Sequence, residues 1–200
     1  MNIRHSKKFD ITYMKIAQEI AQLSYCINYK VGCIIVKNNS IIAEGYNGTP
    51  AGFINVCECE GKTKSEVLHA ETNAIAKVAK STNSSVGATL YTTFSPCIEC
   101  AKLIIQCGII KVVYLNKYRL DDGIDLLKLA DVEIHSLDEI MNAIGVGDTV
   151  ILNDDRFTSD TVFIVDSISG SKDYPELNVH DRSRPHVHYS YYSYELKLLK

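Results

Sequence analysis

His69, Glu71, Cys97 and Cys100 stand in the order His-x-Glu, then Pro-Cys-x-x-Cys, and this constellation constrains the chain more than any other pattern in it. Two distant segments must meet at one point, so each needs a rigid element facing the other. One histidine and two cysteines are zinc ligands, and three protein ligands leave a fourth position for water. A structural site closes its tetrahedron with four protein ligands, whereas an open one lowers the pKa of a bound water towards ~7. A lone His-x-Glu is usually a surface pair, and a lone Cys-x-x-Cys can be a redox motif or half of a structural site. Their combination, with Pro96 before the first cysteine, points to a catalytic zinc held by His69, Cys97 and Cys100 with Glu71 beside it. The remaining reading is a structural site completed by another cysteine.

The local patterns place both halves at helix starts. The stretch from His69 to Lys80 is rich in alanine and reads as a helix, burying Ala70, Ala74 and Val78 or Ile75 and Ala79. His69 and Glu71 are expected in its first turn. A second helix is expected to open at Ser95-Pro96, with Ser95 as N-cap and Pro96 at the first helical position, where its missing N–H costs nothing. Cys97 and Cys100, three apart, then point the same way, at the positive end of a helix dipole that favours the thiolate.

Composition narrows the class. Two hundred residues, 46% of them hydrophobic, suffice for one good core or for a core with a small appendix. No apolar run reaches the ~20 residues of a membrane span, and the polar start Met1–Lys8 lacks the apolar stretch of a signal peptide, so a cytoplasmic protein is expected. Seven cysteines, an odd number, favour reduced thiols and metal binding over a disulfide framework, with Cys33 and Cys107 read as buried small hydrophobes. The net charge is −3 and neither residues 1–145 nor 146–200 carry an excess of Lys and Arg. That argues against a strand of DNA or RNA as substrate, which calls for a cationic stripe.

Along the chain a helix is expected from a cap at Asp10 through Leu23, burying Tyr13, Ile16, Ala17, Ile20 and Leu23. Val31–Lys37 and Ile41–Tyr46 read as strands joined at Asn38-Asn39-Ser40. Further strands are expected at Ala88–Thr93, Ile110–Leu115 and Val132–His135, with Gly108 ending the second zinc-bearing helix and a short helix at Ile124–Ala130. The pattern is α/β, a mixed sheet with helices on its faces. The tail from Val146 reads as short strands, Gly147–Leu152, Thr161–Asp166 and Tyr189–Leu196, in a small barrel-like β appendix. It holds Tyr174, Tyr189, Tyr191, Tyr192 and Tyr194, and also His180, His186 and His188, whose reading as a metal trio yields to that of a polar edge strand. The expected division is a zinc-dependent domain over 1–145 and an accessory domain over 146–200.

Residues 10 to about 136 resemble the deoxycytidylate (dCMP) deaminases of the cytidine deaminase superfamily. The resemblance lies in Val31-Gly32-Cys33-Ile34-Ile35-Val36, Gly45-Tyr46-Asn47-Gly48-Thr49-Pro50-Ala51-Gly52, His69-Ala70-Glu71-Thr72-Asn73-Ala74-Ile75 and Ser95-Pro96-Cys97-Ile98-Glu99-Cys100-Ala101-Lys102. The Gly-Tyr-Asn-Gly element is similar to the dCMP branch in particular, and the extra C-terminal segment is read as that of a viral or phage type. The resemblance implies a three-layer, five-stranded fold and hydrolysis of dCMP to dUMP and ammonia. It also implies a hexamer activated by dCTP and inhibited by dTTP, with Mg2+ accompanying a triphosphate effector. In this chemistry zinc-activated water attacks C4, while Glu71 takes its proton, donates to N3 and then protonates the leaving amine.

Asn47 would contact the substrate sugar or an effector, with a turn residue as its plainer reading. Tyr118 stands where the family keeps an aromatic over the base, and it also reads as a surface tyrosine. Lys30 would neutralise the substrate phosphate where relatives more often carry Arg, and it otherwise reads as a solvated lysine. The glycines of Gly45–Gly48 would let backbone amides approach a phosphate-bearing effector. The segment before His69 is shorter than in many relatives, and Cys57 and Cys59, with Cys26, are candidates for a second zinc. A dCTP deaminase, a polynucleotide deaminase and a non-enzyme whose zinc only holds the fold stay open as alternatives.

Overall fold

Asn38 and Asn39 both have positive φ, 51° and 60°. Two consecutive left-handed residues make a turn whose twist matches that of the strands it joins, and Asn tolerates this conformation. It links β1 (Gly32–Lys37) and β2 (Ser40–Tyr46), whose antiparallel register runs from Lys37 opposite Ser40 to Gly32 opposite Tyr46, with a bulge at Ile35/Val36. This hairpin is one side of the sheet that carries the site. The computed structural model describes residues 3–137, 149–152, 163–171, 174–192 and 196–198.

The chain divides into two compact units, Thr12–Ser136 and a second that unites Met1–Ile11 with Leu137–Lys200. The division falls within helix α1 (Ile3–Ala21), so the first residues group with the C-terminal sheet and not with the zinc-motif unit. The boundary expected at Gly145/Val146 lies outside the described residues.

In the Thr12–Ser136 unit the sheet order is β2-β1-β5-β6-β7, with β5 (Thr89–Phe94), β6 (Lys111–Asn116) and β7 (Glu133–Ser136). The β1 strand is antiparallel to both of its neighbours, while β5–β6 and β6–β7 are parallel. Parallel neighbours need a crossover, and α3 (Ile98–Gln106) and α4 (Asp122–Leu129) supply them. Alternation along β1 separates two apolar faces. Cys33 and Ile35 join Ala70, Ala74 and Val78 of α2 (Ala70–Ala79), Ile104 of α3 and Leu127 of α4 in one core. Gly32 points the other way, where an added Cβ would lie 2.0 Å from the Ala17 carbonyl oxygen of α1. The result is three layers, with α1 on one face and α2, α3 and α4 on the other.

The first helix departs from expectation. It begins at Ile3, not at an Asp10 cap, because nothing between Ile3 and Lys8 breaks a helix. Among its described side chains the buried ones are Asp10, Ile11, Tyr13, Met14, Ala17 and Ala21, while Leu23 is past the helix end and 54% exposed. Close packing against Gly32 selects the alanine stripe, and Tyr13 sits against Tyr91 with ring centroids 5.2 Å apart.

The second unit holds an antiparallel sheet in the order β11-β10-β9-β8-β12. Its strands are β8 (Thr149–Leu152), β9 (Phe163–Ser171), β10 (Tyr174–Asp181), β11 (Arg184–Tyr192) and β12 (Leu196–Leu198). Phe163, Val165 and Val179 are fully buried in it. The sequence reading missed β10, whose Pro175, Asn178, His180 and Asp181 interrupt the apolar alternation, and it joined β12 to β11. A two-residue hairpin, β3 (Glu58–Cys59) with β4 (Lys62–Thr63), was also invisible to periodicity. Among the described residues no helix is long and apolar enough to cross a membrane.

Candidate active site

Both halves of the metal motif use the same backbone device. His69 is the N-cap of α2 with φ −73°, ψ 156°, and Cys97 is the N-cap of α3 with φ −73°, ψ 171°. Neither side chain caps its own helix, so ring and thiol are available to a ligand. Relative to its helix, His69 therefore stands one position earlier, and Cys97 two positions earlier, than the sequence patterns suggest. Ser95 is not the cap: its Oγ accepts the Tyr118 N–H at 2.8 Å, tying the loop after β6 to the turn before α3.

The two helix starts meet over the sheet. His69 Nδ1 lies 3.4 Å from Cys97 Sγ and 3.4 Å from Cys100 Sγ. Zinc bonds of ~2.3 Å to sulfur and ~2.0–2.1 Å to nitrogen put tetrahedral N···S edges at about 3.5 Å, so both nitrogen–sulfur edges already match such a site, with all three atoms within 4.8 Å of one another. They form one of two groups of potential metal donors among the described residues. The soft thiolates with a borderline imidazole suit zinc, and a fourth corner is left open.

Glu71, at the second helical position of α2, is 4% exposed and sits under this centre. Cys100 Sγ approaches its Oε2 at 3.5 Å, and Thr92 Oγ1 donates to its Oε1 at 3.5 Å. Burial pushes the Glu71 carboxyl above its ordinary value, against the pull of backbone amide and His69. A hydrogen bond from the Cys100 thiol, with His69 adding to it, holds Cys97 down at about 3, so Cys97 is a thiolate at neutral pH. That same bond, with burial and the Glu71 charge, pushes the Cys100 thiol far up in the metal-free site. His69 is raised by its bond to Cys97. A cation placed among these groups would satisfy both sulfurs and leave Glu71 as the titratable group facing the open corner.

Gly45 decides how closely α2 approaches. A Cβ there would lie 2.2 Å from the Ala70 carbonyl oxygen and 2.6 Å from the Ala74 nitrogen, both backbone atoms. The missing side chain of Gly45 is thus used by the helix that carries Glu71, not by a phosphate. The amides of the neighbouring loop are also committed: Asn47 N–H donates to Val31 O and Gly48 N–H to Leu68 O, both at 3.1 Å. The amides of Asn47 and Gly48 are therefore used within the chain and are not free for an effector.

Asn47 is 9% exposed, and its side chain braces the chain before β1. Nδ2 donates to Tyr29 O and Oδ1 accepts from Val31 N–H, both at 2.8 Å, while Ser24 Oγ donates to Asn47 O at 2.8 Å. Lys30, between those two partners, is exposed. Tyr118 is half-buried with the Arg119 guanidinium 5.6 Å from its ring centroid.

Two of the seven cysteines are not reduced thiols. Cys26 and Cys57 form a disulfide with Cα atoms 5.1 Å apart, both buried, and Cys59 is free and exposed. Folding brings the distant pair together, so the three do not assemble a second zinc site. Cys33, Cys97, Cys100 and Cys107 are free as expected. Thr92, fully buried beneath Glu71, escaped the sequence reading. Its signal is a polar residue at an inward position of an otherwise apolar strand.

With the geometry in place, the likenesses to known proteins are consistent with it. The sequence profile of the cytidine and deoxycytidylate deaminase zinc-binding region matches residues 7–116. The deoxycytidylate deaminase of Enterobacteria phage T4 is 34% identical over 171 residues, covering 63% of this chain and 88% of that protein. That of Saccharomyces cerevisiae is 35% identical over 137 residues, covering 63% of this chain and 44% of the yeast protein. A crystal structure of dCMP deaminase from the cyanophage S-TIM5, in complex with dCMP and dUMP, superposes with TM-score 0.62 at 52% identity. The match covers 62% of this chain and 93% of that one. On the His69–Cys97–Cys100 centre, the three-layer fold around it and these likenesses, this chain belongs to the cytidine and deoxycytidylate deaminase family.

Proposed function

We propose that the chain catalyses hydrolytic deamination of dCMP to dUMP and ammonia, at a zinc held by His69, Cys97 and Cys100. The observation that carries this reading is a buried Glu71 carboxyl beside a His69–Cys97–Cys100 cluster whose two nitrogen–sulfur edges are each 3.4 Å. Zinc bound there lowers the pKa of a water towards ~7 and so makes a nucleophile available at neutral pH.

The chain's own residues do the rest. Glu71 takes a proton from the water that attacks C4 and donates it to N3 so that C4 becomes electrophilic, then takes the proton of the new C4 hydroxyl and delivers it to the departing amine, leaving the C4 carbonyl of dUMP and ammonia. Its raised proton affinity suits a group that must both take and return a proton near neutral pH, and such transfers contribute ~10²–10⁴-fold. Thr92 orients the carboxyl from below. Asn47 positions the chain from Tyr29 to Val31 and with it Lys30, which faces the substrate phosphate, while Tyr118, tethered through Ser95, covers the base.

The names of the phage and yeast relatives support dCMP over other cytosine compounds. Membership of this family supports cytoplasmic work on free nucleotides in a hexamer, with dCTP and Mg2+ activating and dTTP inhibiting. Since the Asn47 and Gly48 amides are engaged within the chain, an effector would be held by other groups. Residues 146–200 act as an accessory domain.

An ammonia-release assay across dCMP, dCTP, deoxycytidine, CMP and a cytosine-containing oligonucleotide tests the reading. dCMP should react fastest, with sigmoidal saturation that dCTP makes hyperbolic. Rapid consumption of dCTP would move the assignment to a triphosphate deaminase, and inertness to all five would leave zinc with a structural role.

A further inference from the structure

The C-terminal sheet carries a second cluster of metal-ligating side chains that the deaminase chemistry does not use. We propose that Asp166, His180 and His188 bind a divalent transition-metal ion of the zinc class on the polar face of this sheet. The three residues come from three adjacent strands, β9, β10 and β11, and their donor atoms all lie within 4.8 Å of one another.

Strand register brings them together. His180 and His188 are direct cross-strand partners, which places their Cβ atoms ~4.5–5.5 Å apart on one face, and their ring centroids are 5.9 Å apart. Across the other ladder Asn178 pairs with Ser167 and Val179 with Val165, so Asp166 is the extra residue of a bulge. Bulges re-aim side chains, and this one turns Asp166 between the two imidazoles. His180 Nδ1 reaches Oδ1 at 2.5 Å and His188 Nδ1 reaches Oδ2 at 2.9 Å. The opposite face is held by Phe163, Val165 and Val179, so the three ligands stand on a packed base.

Each imidazole directs the same ring nitrogen at the same carboxylate. An ion with ~2.0–2.2 Å bonds to nitrogen and oxygen needs donor separations of about 3.3–3.5 Å, so rotamer adjustments of under about 1 Å admit it. It would displace the Nδ1 protons now shared with Asp166. Two imidazoles and a carboxylate, without thiolate, suit borderline ions such as zinc, cobalt or nickel, not soft ones. His188 is exposed, which leaves room for water at the remaining positions. His186, also exposed and two positions away on β11, is outside the cluster and serves as a control.

Equilibrium dialysis of the full chain against Zn2+, with the His69 site already filled, should show a second zinc per chain. H180A and H188A should each lose that second equivalent, D166N should weaken it, and H186A should keep it. A single equivalent in the wild type, or a second one retained in both H180A and H188A, would overturn the assignment. Should those variants fail to fold, Co2+ added to wild type carrying one zinc per chain decides. Weak visible bands alone indicate a nitrogen and oxygen site, whereas thiolate-to-cobalt charge transfer would put the second ion on cysteine and refute the proposal.

Discussion

Two clusters of metal-ligating groups sit in this chain on opposite physical footings. His69, Cys97 and Cys100 stand at the starts of two helices, with Cys100 and Glu71 buried and the dipoles of both helices favouring negative charge. Asp166, His180 and His188 stand on a sheet, where strand dipoles largely cancel and the groups are half-buried or exposed. The first environment raises a carboxyl and stabilises a thiolate. The second lowers a carboxyl, because slight burial is outweighed by hydrogen bonds from His180 and His188. The lesson is that similar donor counts are tuned for different work by the element that presents them: a reactive floor at one place, a solvated clamp at the other.

The largest effect should come from breaking the first cluster. Cys100→Ser removes a buried ligand, and metal analysis should show the His69-site zinc lost and ammonia release from dCMP reduced to background. Zinc retained at full stoichiometry would mean that the ligand set is wrong. Next, Glu71→Gln should keep that zinc and lower kcat by ~10²–10⁴-fold or more, since only the proton carrier is removed. Near-normal turnover would sink the mechanism.

A purely steric change should separate positioning from chemistry. Gly45→Val drives side-chain atoms into the backbone of α2, and overpacking of this kind costs about 1–3 kcal/mol. Thermal melting should fall, with weaker zinc retention, and an unchanged melting temperature would show that α2 can move aside freely.

The smallest effect sharpens the contrast through pH. In the metal-free chain Glu71 binds its proton more tightly folded than unfolded, so its contribution to stability is present below the unfolded pKa of ~4.3 and lost as pH rises through the folded value. Glu71→Gln should therefore raise the metal-free melting temperature at pH 7 to 8, with the gain fading below about pH 4. Asp166 has the opposite sign. Its lowered pKa contributes stability above the unfolded value of ~3.9 that is lost as pH falls through the folded one, so Asp166→Asn should lower the melting temperature at neutral pH. Parallel responses of the two variants would erase the distinction between the sites.

Much of the first site was legible in the chain because its residues are local to two helix starts and their chemistry is unusual. The strands around it were legible to within a residue or two, since alternation and turn residues mark them. The second cluster was not. Its histidines lie on two strands, His180 on β10, whose proline and polar residues hide its period, and His188 on β11, and Asp166 becomes a partner only through a bulge, which depends on pairing between strands.

Sequence alone determined the ligand types, the α/β pattern, the Asn38-Asn39 turn and the family resemblance, because each follows from residue chemistry or from contacts within a few positions. Tertiary structure decided the rest. It spent Gly45 on helix packing and the Asn47 amide on the chain before β1, paired Cys26 with Cys57, set Thr92 beneath Glu71 and gathered Asp166, His180 and His188. Each of these depends on which distant backbone comes within a few ångströms, and that is set by packing of whole layers and by strand register.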